Sequence, residues 1–222
     1  MSHLSQTVGS APSRAHTVIR SAYLLLAISM IPTVLAAWFG MGSPVTALLN
    51  GHPILSSVGF FASALLLGSL LKATKHTPLG VLFLMAFAGL NGMFIGPMLS
   101  HMLHNQVNGA QTIAVAAGGT GVVLVVMATL GTITRRDVSG LGSWLVAGLV
   151  ALVVGLTANS VLGIRALDLA LGVMGCVVFA GFITYGVNRA VRGGEDSAVA
   201  LAFNLYLDVV NLFLSITRLL QD

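Results

Sequence analysis

Long apolar runs separated by short polar connections dominate the pattern of this chain. A helix crosses the hydrocarbon core of a bilayer with about 20 predominantly apolar residues. Seven runs reach that length, at residues 18–41, 54–73, 78–99, 112–134, 143–163, 168–189 and 198–220. Transmembrane strands would be shorter and would alternate apolar with polar positions, which these runs do not. The pattern therefore predicts an all-α, polytopic membrane protein with seven transmembrane helices.

The composition excludes most soluble classes of protein. Hydrophobic residues make up 56% of the chain and charged residues only 7%, whereas a soluble domain carries about 25% charged residues. The chain is too poor in charge to cover a water-facing surface, so we expect its outer surface to face lipid. The formal net charge of +4 does not indicate nucleic-acid binding, because the basic residues lie in short loops between apolar runs, as in membrane proteins.

The N-terminal segment differs from the rest of the chain. Residues 1–17 are polar, which predicts a cytoplasmic tail in front of a single transmembrane domain formed by residues 18–222. The first apolar run is too long for the core of a signal peptide, so we expect it to be retained as a helix. A cleavage-like segment at residues 35–37 keeps the alternative, a cleaved leader, open.

The basic residues are distributed unequally over the two sides that seven spans would create. Eight of the ten fall on the side of the N-terminus: Arg14, Arg20, Lys72, Lys75, Arg135, Arg136, Arg189 and Arg192. The opposite side holds Arg165 and Arg218. Cytoplasmic loops carry an excess of Lys and Arg, so this bias predicts a cytoplasmic N-terminus and an external C-terminus.

Small residues recur inside the predicted spans and indicate close helix packing. Helices in lipid associate through tight backbone approach, which glycine permits. The candidate packing glycines are Gly89, Gly92, Gly96, Gly118, Gly119, Gly121, Gly148, Gly155, Gly172 and Gly175. The pair Gly96-Pro97 would end or kink the third helix near its outer end, and a broken helix lining a cavity is the alternative to simple packing there.

Asp208 is the one charged residue deep inside a predicted span. It lies about ten residues from either end of the seventh run, or roughly 15 Å from each interface at the rise of a helix. Asn204, Asn211 and Ser215 share its helix face at spacings of three and four residues. Buried carboxylates in membranes are costly and normally face the bundle interior. We therefore predict a proton or cation site at Asp208, supported by this polar stripe, or a structural aspartic acid that joins helices.

Other chemistry has little support in the sequence. His101 and His104 have a spacing that can bind a metal, but no cysteine or acidic residue nearby completes a site, so they are weak candidates. The motifs of serine hydrolases, zinc proteases and P-loop enzymes are missing. We expect a protein that is not an enzyme and that has no cofactor, with Ca²⁺ considered only as a transported ion.

Several segments, in order along the chain, resemble the Bax inhibitor-1 / YccA family of membrane proteins. They are Thr77-Pro-Leu-Gly80, Gly96-Pro-Met-Leu99, Gly118-Gly-Thr120, Arg135-Arg-Asp137, Leu141-Gly142, Arg192-Gly-Gly-Glu195 and the stretch from Leu205 to Phe213. The resemblance covers the chain from about residue 15 onward. The third to fifth spans are most similar to the bacterial YccA-like branch.

The resemblance implies a bundle of six helices around a central seventh. It also implies two functions. Members of the YccA branch are inner-membrane modulators and substrates of the FtsH membrane protease, acting in membrane-protein quality control, with the N-terminal tail as the handle for degradation. Other members are pH-sensitive calcium leak channels, in which acidic residues on the sixth and seventh helices share a proton. Asp208 matches the second of these acidic positions, but Gly186 occupies the first, so the pair cannot form. This departure favours the regulator over the calcium leak.

Overall fold

The computed structural model describes the backbone of residues 11–42 and 53–221, which forms seven helices and no strand. In chain order the helices are α1 (Ala11–Met41), α2 (Pro53–Thr74), α3 (Pro78–Asn105), α4 (Gly109–Ile133), α5 (Leu141–Leu162), α6 (Arg165–Val191) and α7 (Ala198–Leu220). The predicted fold class is thus confirmed. Residues 1–10, which include most of the predicted tail, and Asp222 lie outside the described residues.

Six of the helices, α1 and α3 to α7, are long and apolar enough to cross a membrane. Helix α2 is 22 residues long and contains the apolar segment Leu65–Thr74. Large apolar side chains are exposed along these helices, including Trp38, which is 72% exposed, and Trp144, which is 78% exposed. Apolar side chains on the outside are what a lipid-facing surface requires, so the chain is a polytopic membrane protein.

The helix boundaries differ from the predicted ones mainly at α1 and α3. Helix α1 begins at Ala11, so residues 11–17 belong to it and not to a separate tail. Helix α3 continues through Pro97 to Asn105, so the prediction that Gly96-Pro97 ends the helix is wrong, whereas the alternative, a kink, stays a prediction. Helix α1 packs against the part of α3 around Gly96, where Gly40 of α1 lies directly beside Met93 and Gly96. Neighbouring helices of this kind allow a proline to be tolerated inside a transmembrane helix.

The chain forms two compact units. Of the described residues, one unit, called here the α1–α3 unit, comprises 20–42, 53–110 and 197–206; the other, the α4–α6 unit, comprises 11–19, 111–196 and 207–221. Helix α7 therefore contributes its first part to one unit and the remainder to the other. Of the six candidate spans, α7 has the largest buried share.

Close backbone contact and one aromatic cluster hold the α1–α3 unit together. Gly92 of α3 lies against the backbone of Thr33 in α1, with no room for a side chain between them. The hydroxyls of Thr33 and Tyr206 are 2.9 Å apart, and the Tyr206 hydroxyl is 3.3 Å from the carbonyl oxygen of Ala88. The Phe87 ring meets the Tyr206 ring edge to face. These contacts join α1, α3 and the first part of α7.

Helix α6 contacts the other three helices of the α4–α6 unit at glycines. The contacting pairs are Gly131 of α4 with Val187, Gly155 of α5 with Leu171, and Gly175 of α6 with Ser215 of α7. The prediction that small residues mark packing faces is confirmed for these positions that it named, Gly155 and Gly175. It is wrong for Gly89, Gly118 and Gly121, where an added methyl group would meet nothing within 4 Å.

The contact between Gly92 and Thr33 can be tested directly. In Gly92→Ala the new methyl group would overlap the Thr33 carbonyl oxygen at less than 3.0 Å, which forces the two helices apart. We expect a loss of about 1–3 kcal/mol in the free energy of unfolding, measured by thermal or denaturant unfolding in detergent. The matched control is Gly89→Ala on the same helix, where nothing lies within 4 Å; equal losses in both variants would contradict the packing described here.

Candidate functional site

Asp208 lies in the middle of α7 and is half-buried. No described residue donates a hydrogen bond to its carboxyl group or forms an ion pair with it. The structural alternative, an aspartic acid that joins helices, therefore has no supporting hydrogen bond from a neighbouring helix in the described part of the chain. Asp208 is therefore a mid-helix carboxyl group that has no hydrogen-bond partner among the described residues.

Two residues of the polar stripe around Asp208 form hydrogen bonds within their own helix. The Asn211 amide nitrogen donates to the Leu207 carbonyl oxygen at 2.7 Å, and the Ser215 hydroxyl donates to the Asn211 carbonyl oxygen at 2.8 Å. Asn204 is exposed and Ser215 is buried. The stripe residues thus lie along one face as predicted from their spacing, but their burial changes along the helix, and none of them bonds to Asp208.

Polar side chains on the other helices also form their hydrogen bonds with groups other than Asp208. The Thr157 hydroxyl donates to the carbonyl oxygen of Val153 in its own helix, at 2.8 Å. The Thr184 hydroxyl donates to the Met127 carbonyl oxygen at 3.1 Å, which links α6 to α4. The Asn188 amide donates to two carbonyl oxygens near the end of α4, those of Gly131 at 3.2 Å and Thr134 at 2.9 Å. Asn188 therefore satisfies backbone groups that a helix end leaves unpaired.

In the family that the sequence resembles, one position on the sixth helix carries an acidic residue. This chain has no acidic residue at that position. Gly186 occupies it and is half-buried in α6. The acidic residue of α6 is Asp168, near the start of the helix. The structure thus contains no second carboxylate at residue 186 to share a proton with Asp208.

An ion-pair cluster at the start of α6 was not predicted from the sequence. The Arg218 guanidinium of α7 donates to the Asp168 carboxylate, and Arg165 lies 3.6 Å from the other carboxylate oxygen. The Asn159 amide of α5 is 3.4 Å from the same carboxylate, and its oxygen accepts from the Ile164 backbone N–H at 3.0 Å. One carboxylate therefore connects the ends of α5, α6 and α7.

A signal for this cluster was present in the sequence. Helices α6 and α7 are consecutive and joined by a short turn containing Gly193, whose positive φ of 75° suits glycine. Antiparallel neighbours place the start of one helix beside the end of the next. Asp168 and Arg218 are each 25 residues from Gly193, so a hairpin centred there brings them level.

The histidine pair predicted as a weak metal candidate does not gain support from its surroundings. His101 and His104 lie in the last turns of α3 and are exposed, and His104 Nδ1 is 2.8 Å from the Ser100 carbonyl oxygen. Among the described residues, no group of three or more His, Cys, Asp or Glu side chains could hold a metal ion.

Comparison with known proteins decides the family. A family model described as inhibitor of apoptosis-promoting Bax1 matches residues 15–222, which is nearly the whole chain. The chain belongs to the Bax inhibitor-1 family. Its membership agrees with the resemblance found in the short segments of the sequence.

Bacterial relatives within this family match over almost their full length. The Escherichia coli (strain K12) protein named modulator of FtsH protease YccA is 31% identical, with 92% of this chain and 90% of that protein covered. A Neisseria meningitidis protein is 34% identical, again with 92% of this chain and 90% of that protein covered. An uncharacterized membrane protein of Vibrio cholerae is 29% identical, with 91% of this chain and 88% of that protein covered. The Bax inhibitor-1 family chain described here is thus similar to YccA throughout.

The two arginines near Asp168 should contribute unequally to stability. Arg218 is 35% exposed and in direct contact with the carboxylate, whereas Arg165 is 49% exposed and 3.6 Å away. We expect Arg218→Gln to lower the free energy of unfolding by about 1–3 kcal/mol, because it removes the closest charge-assisted hydrogen bond to a carboxylate that is only 18% exposed. Arg165→Gln should cost at most about 0.5 kcal/mol. Denaturant unfolding of both variants in one detergent provides the measurement; equal effects would show that Arg218 does not join the helices.

Proposed function

We propose that this protein is a bacterial inner-membrane regulator that modulates the FtsH protease and is itself a substrate of that protease. The observation that carries the proposal is the similarity to YccA of Escherichia coli, a protein named modulator of FtsH protease, at 31% identity over 92% of the chain. The residue at position 186 also supports the proposal. It is a glycine, so the chain lacks at this position the carboxylate that a shared-proton channel would need.

The proposal includes a location and an orientation. A relative of the same identity is named inner membrane protein YccA, and the excess of basic residues at one set of helix ends favours a cytoplasmic N-terminus. With seven spans the C-terminus would then lie outside. In this orientation residues 1–10 face the compartment in which we expect the protease to engage them.

Deleting residues 1–10 should lengthen the lifetime of the protein in cells that contain FtsH. The deletion leaves α1 intact, since this helix begins at Ala11. A polar segment of low hydrophobicity is a suitable starting point for a protease that pulls on a chain. Pulse-chase measurement of half-life, in cells with and without FtsH, should show a several-fold increase only where the protease is present.

The matched control for this deletion replaces residues 1–10 with a Gly/Ser segment of equal length. If the protease recognises the tail by its length, the replacement is degraded like the wild type; if it recognises the sequence, the replacement is stabilised like the deletion. A half-life that is the same for wild type and deletion in both cell types would contradict the role of the tail as a handle.

A second candidate function, a cation leak, is favoured by one observation. Asp208 is a mid-helix carboxyl group without a hydrogen-bond partner among the described residues, and a protein that only contacts a protease has no need of it. Ionisable residues inside membranes commonly mark ion or proton pathways. On this alternative Asp208 would bind the cation or proton, and Ca²⁺ would be the transported ion.

The leak is tested by calcium flux into proteoliposomes across a pH series. If Asp208 forms the conducting site, the wild type conducts more as its carboxyl group ionises with rising pH, and Asp208→Asn abolishes this pH dependence. Asp196→Asn, which makes the same change in the connection after α6, is the control and should retain it. Absence of flux above empty liposomes, or an identical pH profile in Asp208→Asn, would contradict the leak.

A further inference from the structure

A cavity of about 230 Å³ lies at the end of the α4–α6 unit opposite the Asp168 cluster. Its walls come from the connection between α4 and α5, from the last turns of α6, and from the turn that follows α6. The lining residues that matter for its chemistry are Asp137, Ser139, Tyr185, Arg189 and Arg192. This volume is enough for several water molecules, or for one tetrahedral oxyanion with part of its hydration.

Two guanidinium groups in this arginine pocket are held in place but only partly used. Arg189 Nε donates to the Gly194 carbonyl oxygen at 3.0 Å, and Arg192 donates to the Arg135 carbonyl oxygen. A guanidinium carries five N–H donors, so each retains several that no described residue accepts. The Tyr185 hydroxyl at the wall of the cavity is likewise without an acceptor among the described residues.

The charge of the arginine pocket favours an anion. Its single carboxylate, Asp137, accepts a hydrogen bond from the Ser139 backbone N–H at 2.8 Å. This bond and a second one from the Ser139 side chain lower the pKa of Asp137 below its ordinary value, with a smaller contribution from the Arg192 charge, so the carboxyl group is ionised at neutral pH. Two cationic side chains then face one anionic one, and the net charge is positive.

The surroundings place the arginine pocket at the depth of lipid headgroups. Helix α5 begins at Leu141, directly after the pocket residues of the α4–α5 connection. Trp144, in its first turn, is 78% exposed, and Val146 and Val150 beyond it are more than half exposed. Exposed tryptophans mark the interface of a bilayer, and the exposed valines mark the start of its hydrocarbon. A phosphate bound among the arginines would therefore stand level with the phosphates of the surrounding lipid.

We propose that the arginine pocket binds the phosphate of an anionic phospholipid headgroup. Arginine suits this role, because its planar fork of donors matches two oxygens of a phosphate, and basic pockets between transmembrane helices bind anionic headgroups in other proteins. The Tyr185 hydroxyl supplies a further donor from the wall of the pocket. The inference is independent of the proposed action on FtsH.

The test uses delipidated, purified full-length protein in detergent and titrates phosphatidylglycerol, with binding counted by native mass spectrometry. Phosphatidylcholine, which carries a phosphate but no net charge, should bind at least about tenfold more weakly. Arg189→Gln and Arg192→Gln should each weaken phosphatidylglycerol binding by about tenfold, since each removes a charge-assisted hydrogen bond. The matched control is Arg136→Gln, an exposed arginine at the same helix ends that does not line the cavity.

A substitution that is expected to strengthen lipid binding provides a second test. Asp137→Asn removes the negative charge from the arginine pocket and should strengthen binding several-fold. Thermal unfolding without lipid identifies any variant that fails to fold, and Arg189→Lys, which retains the charge, should bind more tightly than Arg189→Gln. Equal losses in Arg136→Gln and Arg189→Gln, or displacement of the lipid by millimolar inorganic phosphate, would overturn the proposal: the first would indicate general surface charge and the second a free-phosphate site.

Discussion

The rest of this structure depends on one constraint: hydrocarbon offers no hydrogen-bond partner to a peptide group or a polar side chain. Helices satisfy their own peptide groups, and the polar side chains follow the same rule. Thr120 donates to the Ala116 carbonyl oxygen at 2.7 Å, and Thr132 donates to that of Ala128 at 2.9 Å. Each bond reaches back four residues within one helix, so most polar side chains in the spans need neither water nor a second helix.

Because most polar groups are satisfied internally, few are left to join one helix to another. The helices are joined mainly by close approach at glycine residues, and specific polar contacts are added at a small number of places. Thr33 meets Tyr206 in the α1–α3 unit, and Asp168 meets Arg218 at one end of the α4–α6 unit. Asp208 stands apart from both arrangements, because no described residue forms a hydrogen bond or an ion pair with it.

The same constraint explains how much could be predicted from the sequence. The seven helices follow from apolar length, and α7 has the predicted bounds, 198–220. Helix α4 contains Gly118-Gly119-Thr120-Gly121, residues that form helices poorly in water, yet lipid leaves the backbone no alternative. The end of α3 was missed because the rule for proline comes from water-exposed helices. The surroundings of Asp208 were also missed, since they depend on which polar groups have already bonded to their own helix.

Helix α6 shows why the family's acidic position could be lost from this chain. Thr184 and Asn188, on either side of Gly186, both bond to backbone carbonyl groups of α4, and Asp168 fixes the other end of the helix through Arg218. The attachment of α6 to α4 and α7 thus relies on positions other than 186. A glycine at 186 is compatible with both attachments, since neither uses a side chain at that position. Among the described residues of α6 and α7, Asp208 is then the mid-helix carboxyl group that is left for the proposed cation or proton site.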